Sequence, residues 1–207
     1  MISWKSYEPG SSLAQGHNLA ADSLKNHFLL AMPGLNGSYF GATLTYICEH
    51  NADGAMGLMV NRPTDITLAE LFAQLSIPAG SASAEVPVLE GGPVSSERGF
   101  ILHTQDNADN KNFAASLDLG NGLMLTTARE ILEAISENRG PAEFLVTLGY
   151  AGWAAGQLEQ EITENSWLTC PANTDILFNV PFADRVNKAA ATLGIDFRLM
   201  SGQAGHS

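Results

Sequence analysis

Apolar positions in this chain come in short runs broken by turn residues, and most of those runs have the spacing of strands. From His27 the run Phe28-Leu29-Leu30-Ala31-Met32 is continuously apolar and stops at Pro33-Gly34, which predicts a short strand buried on both faces. Asn36-Gly37 offers a second turn. Residues 43–50 are rich in β-branched and aromatic side chains, and 55–60 answer them across Asn51-Ala52-Asp53-Gly54. That arrangement predicts a β-hairpin with a four-residue loop. Strands are also expected at 86–89 and 99–103, flanking Glu90-Gly91-Gly92-Pro93-Val94, then at 123–125, 143–148 and 175–178, with a tail strand over 195–200. The polar, Asn/Asp-rich stretch 104–112 is a loop by composition.

Helices announce themselves by caps. Thr67-Leu68-Ala69-Glu70 has capping-box spacing, and Leu68, Leu71, Phe72 and Leu75 recur at i, i+3, i+4 and i+7 until Pro78. Thr127-Ala128-Arg129-Glu130 repeats the box before Ile131, Leu132 and Ile135, with an end near Asn138-Arg139-Gly140. Gly149-Tyr150-Ala151-Gly152-Trp153 is expected to turn a strand into a helix carrying Leu158 and Ile162, and 182–193 to form a last helix stopped by Gly194. Strands outnumber helices and no regular βαβ alternation is present, so the expectation is α+β with a mixed, mainly antiparallel sheet. The first 23 residues, rich in Ser, Gly, Ala and Asn, are expected to be a flexible leader, with 24–207 forming one domain.

Charge narrows the partners. The 207 residues carry ten Lys plus Arg against 22 Asp plus Glu, a formal net charge of −12. The basic residues are scattered, so no stripe exists to neutralise phosphates, and the average field repels nucleic acid and anionic membranes. No apolar run has membrane length, Met1 to Gly10 has no signal core, and Cys48 and Cys170 make no disulfide framework. The expectation is a cytoplasmic protein with neither nucleic acid nor membrane as partner.

Several segments together resemble the YqgE/AlgH family of bacterial proteins. The residues carrying the likeness are Asn26 to Pro33, Tyr46 to Asn51, Gly54 to Pro63, Gly91-Gly92-Pro93-Val94, Arg98 to His103, Leu148 to Trp153 and Gly156-Gln157-Leu158-Glu159. The resemblance implies a cytosolic α+β protein with a curved, barrel-like sheet surrounded by helices. It implies no reaction, since the family label reflects an association with regulation of alginate production rather than a chemistry. The leader before Leu24 is longer than members usually have, and Cys170 lies outside the motifs.

The motif residues supply the candidate chemistry. Cys48 and His50 stand two apart on a predicted strand and so share a face, a thiol–imidazole or ligand pair to which His103 and Glu49 would have to converge for zinc. A buried Cys and a turn-bound imidazole beside Asn51 are the simpler reading, and no metal or cofactor is expected. Asn61-Arg62-Pro63 ends a strand, and Arg62 either presents a planar fork to a carboxylate or phosphate or pairs with an acidic side chain. Gly91-Gly92 is a ligand cradle or a tight corner, and Arg98 would flank such a cradle. Gly149 to Gly152 lacks a P-loop or dinucleotide fingerprint, while Trp153 and Gln157, one turn apart on the expected helix, line an aromatic pocket or pack the core.

No complete catalytic set appears, so catalysis is left open and the ten candidate ligand-binding residues are His50, Asn51, Asn61, Arg62, Gly91, Gly92, Arg98, His103, Trp153 and Gln157. The leading expectation is a non-catalytic protein binding a protein or small-molecule partner, with an indirect regulatory effect. The alternatives are an enzyme acting on a small or phosphorylated substrate, with His50, Arg62, Arg98 and His103 around a cleft, and a regulator contacting DNA directly, which the charge disfavours. Oligomeric state is left open.

Overall fold

In the computed structural model, which describes residues 23–78, 85–105, 113–197 and 199, the run after His27 forms β1 (His27–Ala31). It lies between β2 (Leu44–Asn51) and β10 (Trp167–Pro171), antiparallel to both, so Phe28, Leu29 and Leu30 are all buried. β2 and β3 (Gly54–Met59) make the expected hairpin, though its turn narrows to Ala52-Asp53, where Asn51 Oδ1 accepts from the Asp53 N–H at 2.8 Å. Ile47 pairs with Gly57 and Glu49 with Met56, which leaves Cys48 as the extra residue of a bulge.

Two short strands, β4 (Pro63–Thr67) and β5 (Pro87–Glu90), pair antiparallel around α1 (Leu68–Gln74). The capping box of α1 forms: Thr67 Oγ1 accepts from the Glu70 N–H at 3.3 Å and Glu70 Oε2 accepts from the Thr67 N–H at 2.8 Å. The remaining strands are β6 (Val94–Thr104), β7 (Ser116–Gly120), β8 (Leu123–Thr126) and β9 (Phe144–Ala154). The sheet runs β10-β1-β2-β3-β9-β6-β8-β7, with β5 and β4 attached through β9, and only the β5–β9 pair is parallel. The result is the expected α+β fold, a curled, mainly antiparallel half-barrel with helices around it.

Alternate residues of each strand divide the core. Inward-facing Phe28, Leu44, Tyr46, Leu58, Phe100, Leu125 and Leu145 pack with Ile176 and Leu177 of α4 (Thr174–Phe178) and with Ala189 and Ala190 of α5 (Arg185–Ala191). Outside, one cluster lies beneath α1 and α2 (Arg129–Ser136), centred on Leu71, Phe72, Ile101, Ile131 and Val146. Another joins Leu29, Ile47, Trp153 and Trp167 to Leu158 of α3 (Gln157–Thr163).

The structure corrects several expectations. The Gly149–Trp153 segment does not start a helix but continues β9, because the strand changes partner there: Phe144 to Leu148 pair with β6, and Ala151 to Ala154 with β3. At that crossing a β-carbon on Gly92 would stand 2.1 Å from the Tyr150 carbonyl carbon, and one on Gly149, whose φ is +72°, 2.3 Å from the Gly92 oxygen. The glycines permit backbone contact rather than a turn. The expected strand at 175–178 is α4, opened by Asn173 Oδ1 accepting from the Asp175 N–H at 2.8 Å. Helix α2 has Ala128 rather than Thr127 at its N-cap, and it ends at Ser136. In place of a tail strand, Ile195 and Asp196 are irregular and Phe197 is helical, while Arg198 and Met200 lie outside the described residues. The expected leader, apart from Ser23, and most of the 104–112 loop also lie outside them. Strands β4, β7 and β10 were not expected at all.

Candidate functional site

The bulge at Cys48 decides what happens to the first candidate pair. It resets the alternation of β2, so Cys48 joins the inner core while His50 pairs with Ala55 on the outer face. The expected shared face is lost for that reason. Burial pushes the Cys48 thiol far above its usual range, and neighbouring Glu49 adds to the shift. His50 is held from two sides: Nδ1 accepts from the Leu24 N–H at 2.9 Å, and Nε2 lies 2.8 Å from Glu159 Oε1 on α3.

The other candidates occupy separate places. Asn61 clasps the start of β2, accepting from the Leu44 N–H at 2.8 Å and donating to the Ala42 carbonyl at 3.0 Å. Arg62 donates to the carbonyls of Tyr39 and Gly41 at 2.8 and 3.2 Å, stacks on the Tyr39 ring and reaches Glu90 Oε2 at 3.4 Å. Tyr39 in turn donates to Glu90 Oε1, and burial followed by that bond pushes its phenol up to about 12. Gly91 and Gly92 lie at the β5–β9 crossing, and Arg98 sits in the wide bulge of β6 between Val94 and Gly99. His103 is fully buried, with Nε2 at 2.9 Å from Thr126 Oγ1. Trp153, on a strand rather than a helix, donates to Glu161 Oε2 at 2.8 Å, as does Trp167, while Gln157 donates to Glu161 Oε1 at 2.9 Å. Among the described residues, no group of three His, Cys, Asp or Glu is placed to hold a metal ion.

A recess forms instead where the two ends of the curled sheet approach each other. Beyond β1, Asn26 Nδ2 donates to the Leu119 carbonyl of β7 at 2.9 Å and Lys25 Nζ to the Asp118 carbonyl at 3.3 Å. These bonds tie the segment leading into β1, the neighbour of edge strand β10, to β7 at the opposite edge of the sheet, across a seam. Beside it lies a small open recess, about 220 Å³ of empty space counting what is open to solvent, with Leu123, Ala172 and Leu177 as its apolar part and Asn26, Tyr46, Asn121, Asn173 and Thr174 as its polar part.

The polar groups are unequally committed. Tyr46 donates to Asn26 Oδ1, and burial followed by nearby Cys48 raises its phenol above the usual range, so it stays a protonated donor. Asn173 Oδ1 is spent on the first turn of α4, which leaves its NH₂ as a donor. The Asn121 amide and the Thr174 hydroxyl have no hydrogen-bond partner among the described residues. None of the lining side chains carries a charge at neutral pH. Sequence reasoning missed this group because it spans four segments; the available signals were Asn121 between two glycines and Asn173-Thr174-Asp175 as a helix start.

The fold and its sequence have relatives. A family described as AlgH-like matches residues 28–198. A UPF0301 protein of Thioalkalivibrio sulfidiphilus is 50% identical over 188 residues, covering 91% of this chain and 99% of that one. The solution structure of the AlgH protein from Pseudomonas aeruginosa shares 42% identity at a TM-score of 0.74, covering 93% of this chain and all of that one. A crystal structure from Corynebacterium diphtheriae, 20% identical, matches at a TM-score of 0.67 over 91% of this chain and 95% of its own, a likeness of fold.

Proposed function

We propose, from the premise that this chain belongs to the AlgH-like family, that it is a non-catalytic binding protein whose seam recess takes a small, uncharged, hydrogen-bonding molecule. The observation that carries this reading is the lining: amides and hydroxyls over an aliphatic floor, with an open amide at Asn121, an open hydroxyl at Thr174 and a spare donor at Asn173. Such a set offers both donors and acceptors, so it suits an amide or a polyol better than a carboxylate or phosphate. The recess is small and open to solvent, which limits the ligand to a few heavy atoms.

Three further features bear on the alternative readings and on the protein's surroundings. His50, Arg62, Arg98 and His103, the set an enzyme reading requires, belong to different surroundings: α3, the Tyr39–Glu90 patch, the β6 bulge and the buried Thr126 contact. A net charge of −12 opposes direct DNA contact. The two cysteines are free and buried, as suits a reducing compartment, and no helix of the described residues is long and apolar enough to cross a membrane.

Titration of ¹⁵N-labelled protein with acetamide, glycerol and acetate tests the proposal. Acetamide or glycerol should shift the signals of Asn26, Asn121, Leu123, Asn173 and Thr174 in a saturable way, with Kd of roughly 1–10 mM, about 3–4 kcal/mol, and Asn121→Ala should weaken it. Absence of saturable shifts there, or acetate binding as well as acetamide, overturns it.

A further inference from the structure

The seam has a second feature, at its back. The segment that carries Asn26 into the recess is held down by His50, and the geometry of that contact fixes where the imidazole proton sits. The Leu24 N–H points at Nδ1, so Nδ1 is a bare acceptor and the ring proton is on Nε2, where it is donated to Glu159. The imidazole side chain is only 6% exposed, whereas Glu159 is 54% exposed.

We infer that His50 is a proton-sensitive latch: protonating Nδ1 sets N–H against N–H at Leu24, releases the Leu24–Asn26 segment and loosens the seam recess. The inference rests on the reading of that recess as a binding site for its consequence, though not for its mechanism. Release of Leu24 is transmitted because the segment is short and bonded throughout. The Ser23 hydroxyl donates to the His50 carbonyl at 3.0 Å, the His27 N–H to the Leu24 carbonyl at 3.0 Å, and the Asn26 N–H to the Ile47 carbonyl at 3.0 Å. Asn26 holds a left-handed φ of +61°, from which its side chain reaches both Tyr46 and Leu119.

The charges around the ring set the direction. From α3 comes Glu159, whose carboxyl is held below its usual range by its own backbone N–H, and further by His50. It therefore stays ionised and sets a negative charge against the Nε2 side of the ring. From β3 comes Ala55, without charge. On β2, Glu49 faces the other way with Met56, and Asp53 lies in the hairpin turn. From the segment itself, Lys25 is turned to the Asp118 carbonyl, and His27 has Nδ1 at 3.1 Å from the Lys25 carbonyl. Protonated His27 would still donate to that carbonyl, so it does not oppose docking, and His27→Asn is the control.

The test is an NMR titration of the full chain without ligand, from pH 8 to pH 5. At pH 8 the imidazole ¹⁵N shifts should report the Nε2–H form, and the Leu24 amide should be protected from exchange. As the pH falls, Leu24 protection should fall about tenfold, and Asn26 and Asn121 signals should move with the same midpoint. In Glu159→Gln the neutral contact survives but the counter-charge is gone, so the loss of Leu24 protection should move to lower pH; in His27→Asn it should stay. A proton found on Nδ1 at pH 8, Leu24 protection unchanged through the titration, or an unmoved midpoint in Glu159→Gln overturns the latch. Loss of acetamide binding with the transition intact would count against the recess alone, and acetamide binding unchanged at pH 5 against the latch.

Discussion

The middle of the sheet and its seam are joined by different means. At the crossing of β5, β6 and β9 the contact is backbone on backbone, with the Gly91 N–H donating to the Leu148 carbonyl at 2.7 Å and Gly92 pressed against Tyr150. At the seam, no ladder joins β1 to β7, and what bridges them is the side chains of Asn26 and Lys25. A backbone crossing tolerates no change of shape, because nothing on it can rotate away. A side-chain bridge can open without unfolding the strands on either side, which is the property a binding recess needs.

The largest effect should therefore come from the crossing. Gly92→Ala would force a methyl to 2.1 Å from the Tyr150 carbonyl carbon, with backbone on both sides. We expect a loss of about 3 kcal/mol or more, seen as a collapse of the urea midpoint or as insoluble protein. A variant as stable as the parent would mean that the two regions do not differ in the way described.

Next comes the seam. Asn26→Ala removes the donor to Leu119 and the acceptor for buried Tyr46, and it leaves Ala at a φ of +61°. The expected cost is about 2–3 kcal/mol. Asn26→Gly loses the same bonds but relaxes the backbone, so it should recover about 1 kcal/mol of that. Equal losses in the two variants would show that the φ carries no strain and that the bonds alone hold the bridge.

The same contrast explains what the sequence discloses. Helix α1 is legible because its information is local: Thr67 and Glu70 cap it, Leu68, Leu71 and Phe72 mark its buried face, and Pro78 follows its end. β1 is legible because both its faces are buried and its run is unbroken. Gly149 and Gly152 mislead because glycine signals a turn and a close crossing with the same letter, and only the strands packed alongside decide between them. Asp175-Ile176-Leu177-Phe178 is too short to display a period, so the decisive residue was the cap, Asn173. Strand β7, Ser116 to Gly120, alternates polar and apolar residues, but over five residues the alternation is too short to stand out. The recess was least legible, since curling of the sheet brings Asn26, Tyr46, Asn121 and Asn173 together and no spacing along the chain encodes that curl.

A smaller effect is expected at the α1 cap, remote from both regions. Thr67→Ala should cost about 1 kcal/mol, because the Glu70 N–H loses its acceptor. The cap also has a pH signature. Glu70 is held below its ordinary value of 4.5 by the Thr67 N–H and then the Thr67 hydroxyl, so the unfolded chain binds the proton more readily than the folded one. The carboxylate's contribution is therefore present above about pH 4.5 and fades as pH falls through the lowered value. Removing the hydroxyl should weaken that part of the stability curve without abolishing it, because the residue-67 N–H still donates to Glu70, and should leave the Leu24 exchange transition where it was.

The smallest effect sets the floor of the comparison. Arg129 and Glu133 form an i,i+4 pair at 2.8 Å on α2, with side chains 44% and 45% exposed. Both ends are solvated, so Coulomb attraction is screened and partly cancelled by the entropy of holding two long side chains. Arg129→Ala should change stability by no more than about 0.5 kcal/mol, and the difference should vanish in about 1 M salt. Lys25, also a surface cation, donates to a backbone carbonyl across the seam rather than to a neighbouring carboxylate. If Lys25→Ala matches Arg129→Ala in size and salt dependence, Lys25 adds nothing to the closure and Asn26 alone bridges the sheet ends. A larger, salt-insensitive loss for Lys25→Ala would make the bridge a two-residue device, because only a bond whose loss opens the structure costs more than the charge it carries.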